Sequence, residues 1–436
     1  MILFVLAIIH TLCVYKVHDW ARYLEIKQRA THHGKHAHRS FFVQILYFLA
    51  EVEVVFVFWA IPLFIAIWGF YGWTIGLEYV NTRNYTEALF VAVILAMAST
   101  RPIIDIAQRF IHWMARGLGG SLSAWWFVLL TIGPLLGSLI TEGAAMAICA
   151  LLLSRQFYEY HPSKSLAYAT LGLLFVNISV GGILTNFASP AVLILSHAWH
   201  WSISDIFFNF GWKASLGILL SNFFYWIYFR KELAYMNLRK KAINIYAAYS
   251  SKPLEEPIPL WVTVAHMIFM TLIVMVSHYP AIFTALFLFF IGFHQATRPH
   301  QHSIRIVRPL MIGLFLSGLV IHGGLQGWWV VSLLEGLSPL SVLGVSIGLT
   351  GFNDNTAISY LATLLPNWGK VFQYAVFTGV VAGGGLTVIA NAPNPAGYAI
   401  LKKHFEAGVK PAQLFLAALI PTFILYALFY LFGPLF

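Results

Sequence analysis

Long apolar stretches recur along almost the whole chain, and they restrict the fold more than any other feature of the sequence. Each stretch is roughly 15 to 30 residues long, and about 20 apolar residues suffice to cross a bilayer as a helix. Only 10% of the 436 residues are charged and 59% are hydrophobic, against a usual charged share of about 25%. The sequence therefore predicts an all-α, polytopic membrane protein without a separate soluble domain.

Four of the apolar stretches contain helix-breaking residues. The stretches at 122–153 and 336–365 carry Pro or Gly and a polar centre, so each is predicted to form a re-entrant hairpin of two half-length helices. The stretches at 165–196 and 371–401 carry Gly runs and Pro, so each is predicted to be an interrupted helix. The other apolar spans are predicted at 1–16, 41–70, 87–105, 204–228, 260–276, 280–294, 308–330 and 412–434.

Basic residues are distributed unevenly between the predicted loops. If both hairpins are re-entrant, 23 of the 26 Lys and Arg residues lie on one side of the membrane, and Arg83, Lys213 and Lys370 lie on the other. Because Lys and Arg are enriched in short cytoplasmic loops, the first side is predicted to be cytoplasmic. The net charge of +10 is thus explained by topology, and nucleic-acid binding is disfavoured.

The predicted order of elements occurs twice. Residues 1–228 hold three scaffold helices, a hairpin, an interrupted helix and a final helix, and residues 260–436 hold the same order after a basic cytoplasmic linker at 229–259. Since the halves begin on opposite sides of the membrane, they are predicted to be inverted repeats, a common construction of transporters.

Two sequence matches support this repeat. The segment GGILTNFASPAVLIL at 181–195 resembles GGGLTVIANAPNPAGYAIL at 383–401. The segment ITEGAAMAICALLL at 140–153 resembles FNDNTAISYLATLL at 352–365, which aligns Glu142 with Asp354.

Glu142 and Asp354 are the leading candidates for chemistry. A carboxylate at bilayer depth costs at least about 2.5 kcal/mol, so it usually faces a cavity or a partner for a functional reason. Cation binding or proton exchange would be such a reason. The alternative is an interfacial position or a structural pairing with Arg.

The interrupted helices supply oxygen-bearing side chains close to these carboxylates. Unwound backbone exposes carbonyl groups and helix ends, which suit a hard cation such as Na⁺, although helix N-termini also attract anions. Alternatively, the glycines serve close helix packing and the Asn residues form interhelical hydrogen bonds. The candidate ion-binding residues are Thr185, Asn186 and Ser189 in the first half, Thr387, Asn391 and Asn394 in the second, and Asn353 and Asn355 beside Asp354.

Other polar features allow more than one interpretation. Glu51 and Glu53 point to different faces of one apolar span, which fits either a proton-relay pair or an interfacial position. A His-rich loop could bind a transition metal or sense pH, but no transition-metal site is predicted because there is no second ligand cluster. Its histidines are His32, His33, His36 and His38.

Several classes of protein are disfavoured by missing motifs. The sequence has no P-loop, HExxH or GxSxG motif, so neither an ATP-driven pump nor an enzyme is predicted, and no cofactor is expected. Cys13 and Cys149 lie in apolar segments without ligand spacing, which indicates neither a disulfide nor a metal. The first span lacks a positive n-region and a cleavage site and is predicted to be a retained helix.

The hairpin motifs ITEGAAMAICALLL and NDNTA and the run GGGLTVIANAPNPAG resemble the bacterial family of putative Na⁺/H⁺ antiporters, similar to the NhaD-type antiporters within the ion transporter superfamily. The resemblance extends over nearly the whole chain. It implies two inverted repeats, a scaffold part, a transport part built from hairpins and interrupted helices, and usually a homodimer in the bacterial inner membrane. The Ser-Asn-Thr motifs of the dicarboxylate branch are replaced by Thr-Glu-Gly and Asn-Asp-Asn, and such acidic tips argue against an anion substrate.

The sequence therefore predicts a secondary transporter that exchanges Na⁺ or Li⁺ for H⁺ by alternating access. Glu142 and Asp354 are predicted to hold the cation or the proton in turn, and small inorganic ions and the lipid bilayer are the expected partners. A Na⁺-coupled carrier of a carboxylate or another anion is the alternative.

Overall fold

A computed structural model shows regular structure that is entirely helical in the part of the chain it describes. The described residues are 2–31, 40–247, 258–301, 303–304, 306–326, 336–365, 369–405 and 408–434. The all-α prediction is thereby confirmed. The chain divides into two compact units, one formed by Met1–Ala92 and Ile306–Leu333, the other by Val93–Arg305 and Leu334–Phe436. These units are defined by contacts in space, so the repeat boundaries along the chain stay a prediction.

The first unit contains most of the scaffold helices. They are α1 (Ile2–Thr31), α2 (Phe41–Leu49), α3 (Val52–Tyr71), α4 (Trp73–Asn81), the first half of α5 (Thr86–Ala98), and α15 (Val307–Gly323). Helices α3 and α15 pack closely because Gly318 has no side chain: a Cβ there would lie 2.6 Å from the backbone carbon of Phe56. The span predicted as one helix at 41–70 is two helices, and Ser40 caps the first of them.

The second unit contains both predicted hairpins and both interrupted helices. Before the linker it has α6 (Arg101–Gly117), α7 (Leu122–Ile140), α8 (Glu142–Gln156), α9 (Lys164–Gly181), α10 (Pro190–Ala198), α11 (Ile203–Ile206) and α12 (Trp212–Ala247). After it come α13 (Leu260–Met275), α14 (Pro280–Ala296), α16 (Pro339–Phe352), α17 (Asn355–Thr363), α18 (Lys370–Gly383), α19 (Asn394–Leu401) and α20 (Pro411–Leu431).

Two segments that lie largely outside the predicted apolar spans are helical. Residues 101–117 form α6, whose buried Ile103, Ala107, Ile111 and Ala115 recur every four residues and so share one face. Residues 229–247, in the predicted linker, continue α12. Apolar periodicity explains the first difference, which a search for uninterrupted apolar stretches misses.

Four helical segments in the described ranges are long and apolar enough to cross a membrane, and two further pairs of helices reach that length only when each bent pair is counted as one span. The four are Glu53–Tyr71, Leu122–Ile140, Lys164–Leu184 and Pro411–Leu431. Large apolar side chains such as Phe70 and Phe423 are exposed on the protein surface, as expected for contact with lipid.

Each predicted hairpin consists of two helices joined at a short polar tip. In the first hairpin α7 and α8 pack along each other, since a Cβ at Gly133 would overlap the sulfur of Cys149 and one at Gly137 would touch Ala145. Helix α7 has 19 residues, about 28 Å of helix, and so exceeds the half length predicted for it. The re-entrant topology stays a prediction.

The interrupted helices are broken where the Gly and Pro residues predict. Helix α9 ends at Gly181 and α10 begins at Pro190, while α18 ends at Gly383 and α19 begins at Asn394. Proline at the start of a helix is favourable because its missing N–H would have no partner there. Both breaks lie beside the hairpin tips.

Candidate functional site

The tip of the first hairpin is held by hydrogen bonds to the broken segment between α9 and α10. The N–H of Glu142 donates to the carbonyl oxygen of Ala188 at 3.5 Å, instead of to Ser138 one turn earlier. The freed carbonyl of Ser138 accepts a hydrogen bond from Thr185 Oγ1 at 2.7 Å. Buried helix ends need such partners, so these contacts hold the tip against the break.

The second hairpin makes the same two contacts. The N–H of Asn355 donates to Ala390 at 2.9 Å, and the carbonyl of Gly351 accepts from Thr387 Oγ1 at 2.9 Å. Thr387 and Ala390 lie equally far along the chain from Thr185 and Ala188. Asn355 is therefore the geometric counterpart of Glu142.

The sequence alignment of Glu142 with Asp354 is wrong by one residue. The first tip has one residue, Thr141, between its two helices, whereas the second has Asn353 and Asp354. The different helix ends do not change the spacing of the matched contacts: Ser138 and Glu142 are four residues apart, as are Gly351 and Asn355, so the whole tip is shifted by one residue relative to the sequence match.

In each half, a glycine at the end of the helix before the break allows the first helix of the hairpin to pack closely against it. A Cβ at Gly181 would lie 2.5 Å from the carbonyl oxygen of Pro134, and one at Gly383 would lie 2.8 Å from that of Ile347. Both distances are too short for any side chain. The glycines of these runs therefore serve close helix packing. They also lie where the two helices unwind.

Glu142 lies at the centre of the candidate site and is 1% exposed. Its Oε2 accepts a hydrogen bond from Asn391 Nδ2 at 3.0 Å, and the Ser189 hydroxyl lies close by. A Cβ at Gly182 would lie 2.5 Å from Oε1, so the carboxylate rests against bare backbone. No described residue donates a hydrogen bond to Oε1. One acceptor of a buried carboxylate thus remains available for an ion.

Thr141 is a functional candidate that was not singled out from the sequence. Its backbone has φ 76° and ψ 149°, a region nearly restricted to glycine, and it is 1% exposed. Strain of this kind is concentrated at functional sites. Within the described part of the chain, its Oγ1 has no hydrogen-bond partner. The motif Thr-Glu-Gly contains the residue, but no sequence pattern indicates a positive φ at threonine.

Asn394 and Thr387 stabilise the second break. Asn394 Nδ2 donates to the carbonyl oxygens of Gly384 and Thr387, both at 2.8 Å. Its Oδ1 is buried and has no partner among the described residues. Asn394 therefore braces the unwound backbone and also presents one free oxygen.

The remaining predicted residues make local contacts. Asp354 Oδ1 accepts from the N–H of Thr356 at 2.8 Å and so caps α17, while Asn353 Oδ1 accepts from the N–H of Asp354 at 2.9 Å. Asn186 Nδ2 donates to the carbonyl of Trp201 at 3.2 Å. Asp354 thus has a structural role in its helix.

Two other predicted features lie elsewhere. Glu51 is exposed and precedes α3 in the first unit, and Glu53 lies half-buried in the first turn of that helix. The run His32, His33, His36 and His38 falls outside the described residues. Within those residues, no group of three or more His, Cys, Asp or Glu side chains could hold a metal ion.

No curated protein matches this chain. One similar solved structure is described as "Crystal structure of the Alcanivorax borkumensis YdaH transporter reveals an unusual topology"; it is 12% identical, covers 86% of this chain and 96% of its own, and has a TM-score of 0.40.

The family described as "Putative Na+/H+ antiporter" matches residues 1–432, almost the full length. The apolar helices agree with a membrane transport protein. The chain therefore belongs to the family of putative Na⁺/H⁺ antiporters and is a multi-pass membrane protein.

Proposed function

We propose that this protein exchanges Na⁺ or Li⁺ for H⁺, with Glu142 binding the two ions in turn. The observation that carries the proposal is the buried Glu142 carboxylate, with one oxygen held by Asn391 and the other free of partners among the described residues. An isolated buried charge is costly, so a carboxylate in such a place is neutralised by a proton or paired with a cation. Because both ions satisfy the same carboxylate, they compete for it.

Neutral oxygens complete the proposed cation site. Hard cations prefer oxygen ligands, and Thr141 Oγ1, the Ser189 hydroxyl and Asn394 Oδ1 belong to the segments that meet at the tips and breaks. Asp354 adds a nearby carboxylate without leaving its capping position. This arrangement favours a cation over an anion.

Transport requires the site to open to each side of the membrane in turn. We assign this movement to the two hairpins and two interrupted helices, related as inverted repeats and acting by alternating access. The protein would work as a homodimer in a bacterial inner membrane, as the family resemblance implies. Glu142 would then carry one ion in each direction.

The test is ΔpH dissipation in proteoliposomes on addition of Na⁺, Li⁺, K⁺ or a dicarboxylate. We expect Na⁺ or Li⁺ to dissipate ΔpH in the parent protein and Glu142→Gln to lower the rate to that of empty liposomes. Glu159→Gln, at an exposed carboxylate, is the matched control and should keep the parent rate. Full activity in Glu142→Gln would overturn the proposal, and a response to dicarboxylate alone would favour the anion carrier.

A further inference from the structure

The two hairpin tips are matched in backbone contacts but differ in the charge of one side chain. Glu142 and Asn355 each begin the second helix of a hairpin, and each donates its N–H to the matching alanine of an interrupted helix, Ala188 or Ala390. If both of these matched positions carried a carboxylate, the protein would have two similar exchange sites. They carry one acid and one amide.

The two side chains also face matching glycines. A Cβ at Gly182 would lie 2.5 Å from Glu142 Oε1, and one at Gly384 would lie 3.1 Å from Asn355 Nδ2. Gly182 and Gly384 occupy the same place in the two breaks. The amide of Asn355 therefore occupies the position that a second carboxylate would take.

Asp354 does not replace the missing carboxylate. It precedes α17, and its Oδ1 is engaged by the N–H of Thr356. This hydrogen bond holds the Asp354 carboxylate at the N-terminus of α17, where the helix dipole favours a negative charge. The exchangeable charge is then confined to Glu142.

We infer that Asn355 sets the ratio of Na⁺ to H⁺ exchanged. Because its side chain is neutral, Glu142 is left as the one exchangeable charge, and one Na⁺ moves against one H⁺. This inference rests on the proposed function and adds its stoichiometry. Glu142 is neutralised by Na⁺ in one direction and by H⁺ in the other, and the loaded site carries the same net charge both ways. Exchange should therefore be electrically silent.

The experiment uses proteoliposomes in which K⁺ and valinomycin set the membrane potential. At a fixed ΔpH, the Na⁺ gradient that stops net flux is measured with and without an about tenfold K⁺ gradient, because a charge that crosses the membrane responds to the potential. For the parent we expect no shift of this Na⁺ gradient. A carrier that moves two H⁺ per Na⁺ would shift it about tenfold.

Asn355→Asp tests the position directly. The added carboxylate should make exchange sensitive to the membrane potential. The Na⁺ gradient that stops net flux should then shift toward the tenfold change expected for two H⁺ per Na⁺. Asn209→Asp, at an exposed Asn of the same unit, is the control and should leave it unshifted. Potential-sensitive exchange by the parent would overturn the inference even if Asn355→Asp fails to fold, and so would a folded, active Asn355→Asp that stays electrically silent. Absence of exchange in the parent would instead overturn the proposed function.

Discussion

The first and second hairpin tips bind their interrupted helices through the same pair of hydrogen bonds, made by Thr185 and Ala188 in one case and by Thr387 and Ala390 in the other. They differ in what the tips carry, since Glu142 faces one break and an amide faces the other. The backbone contacts of the tips are therefore duplicated, whereas the carboxylate that faces a break is present in the first tip alone among the matched positions Glu142 and Asn355.

A second difference lies in the first hairpin arms. Pro134 has no N–H, so the carbonyl of Leu130 one turn earlier lacks its helical partner. Asn177 and Asn222 both donate to this carbonyl, at 2.9 and 2.8 Å. The second arm has Ile347 in place of Pro134 and needs no such brace. The first arm therefore depends on side-chain donors that the second arm does not need.

The largest expected effect comes from filling the glycine contacts. Gly181→Ala places a Cβ 2.5 Å from the backbone of Pro134, and Gly383→Ala places one 2.8 Å from Ile347, so both should lower stability by at least about 1–3 kcal/mol, Gly181→Ala by more. Thermal unfolding of purified protein measures the loss. Gly344→Ala, which has open space around its Cβ, is the control and should be neutral or stabilising. An unchanged melting temperature for Gly383→Ala would show that the second hairpin arm does not pack against its interrupted helix as closely as the first does.

An intermediate effect is expected at the two threonines. Thr185→Val and Thr387→Val each leave a buried carbonyl without its donor, which should cost about 1–3 kcal/mol. Equal losses in thermal stability would support the matched contacts. Thr82→Val removes an exposed hydroxyl whose hydrogen bonds go to Glu78, Tyr79 and Arg83, all within four residues along the chain, so it should change little. A loss confined to Thr185→Val would mean that the second tip is held differently.

The smallest effects are expected at the tips themselves, with opposite signs. Thr141→Gly relieves a backbone conformation of φ 76° and should stabilise the protein by about 1 kcal/mol after the entropy cost of glycine. The matching residue Asp354 has φ −61° and caps α17, so Asp354→Ala should destabilise it by about 1 kcal/mol. Midpoints of thermal unfolding for both variants check the signs. Destabilisation by Thr141→Gly would show that the threonine side chain contributes more than its backbone strain costs.

The sequence alone determined the class of protein and the positions of both breaks, and it predicted both hairpins and the candidates Glu142 and Asp354. The length of an apolar stretch and its Gly and Pro residues determine helices and breaks through local effects. A carboxylate within an apolar span is costly whatever the fold, so the sequence alone identifies it as a candidate. The charge pattern also predicted an orientation and two inverted halves, which remain predictions.

Only the tertiary structure decided which side chains meet. Asn391 reaches Glu142 across 249 positions, a contact that depends on how separate helices pack and not on local periodicity. Packing also set the register, because the hydrogen bonds to Ala188 and Ala390 make Asn355, and not Asp354, the counterpart of Glu142. The placement of a carboxylate at one tip position and an amide at its counterpart follows from that register, which no residue specifies by itself.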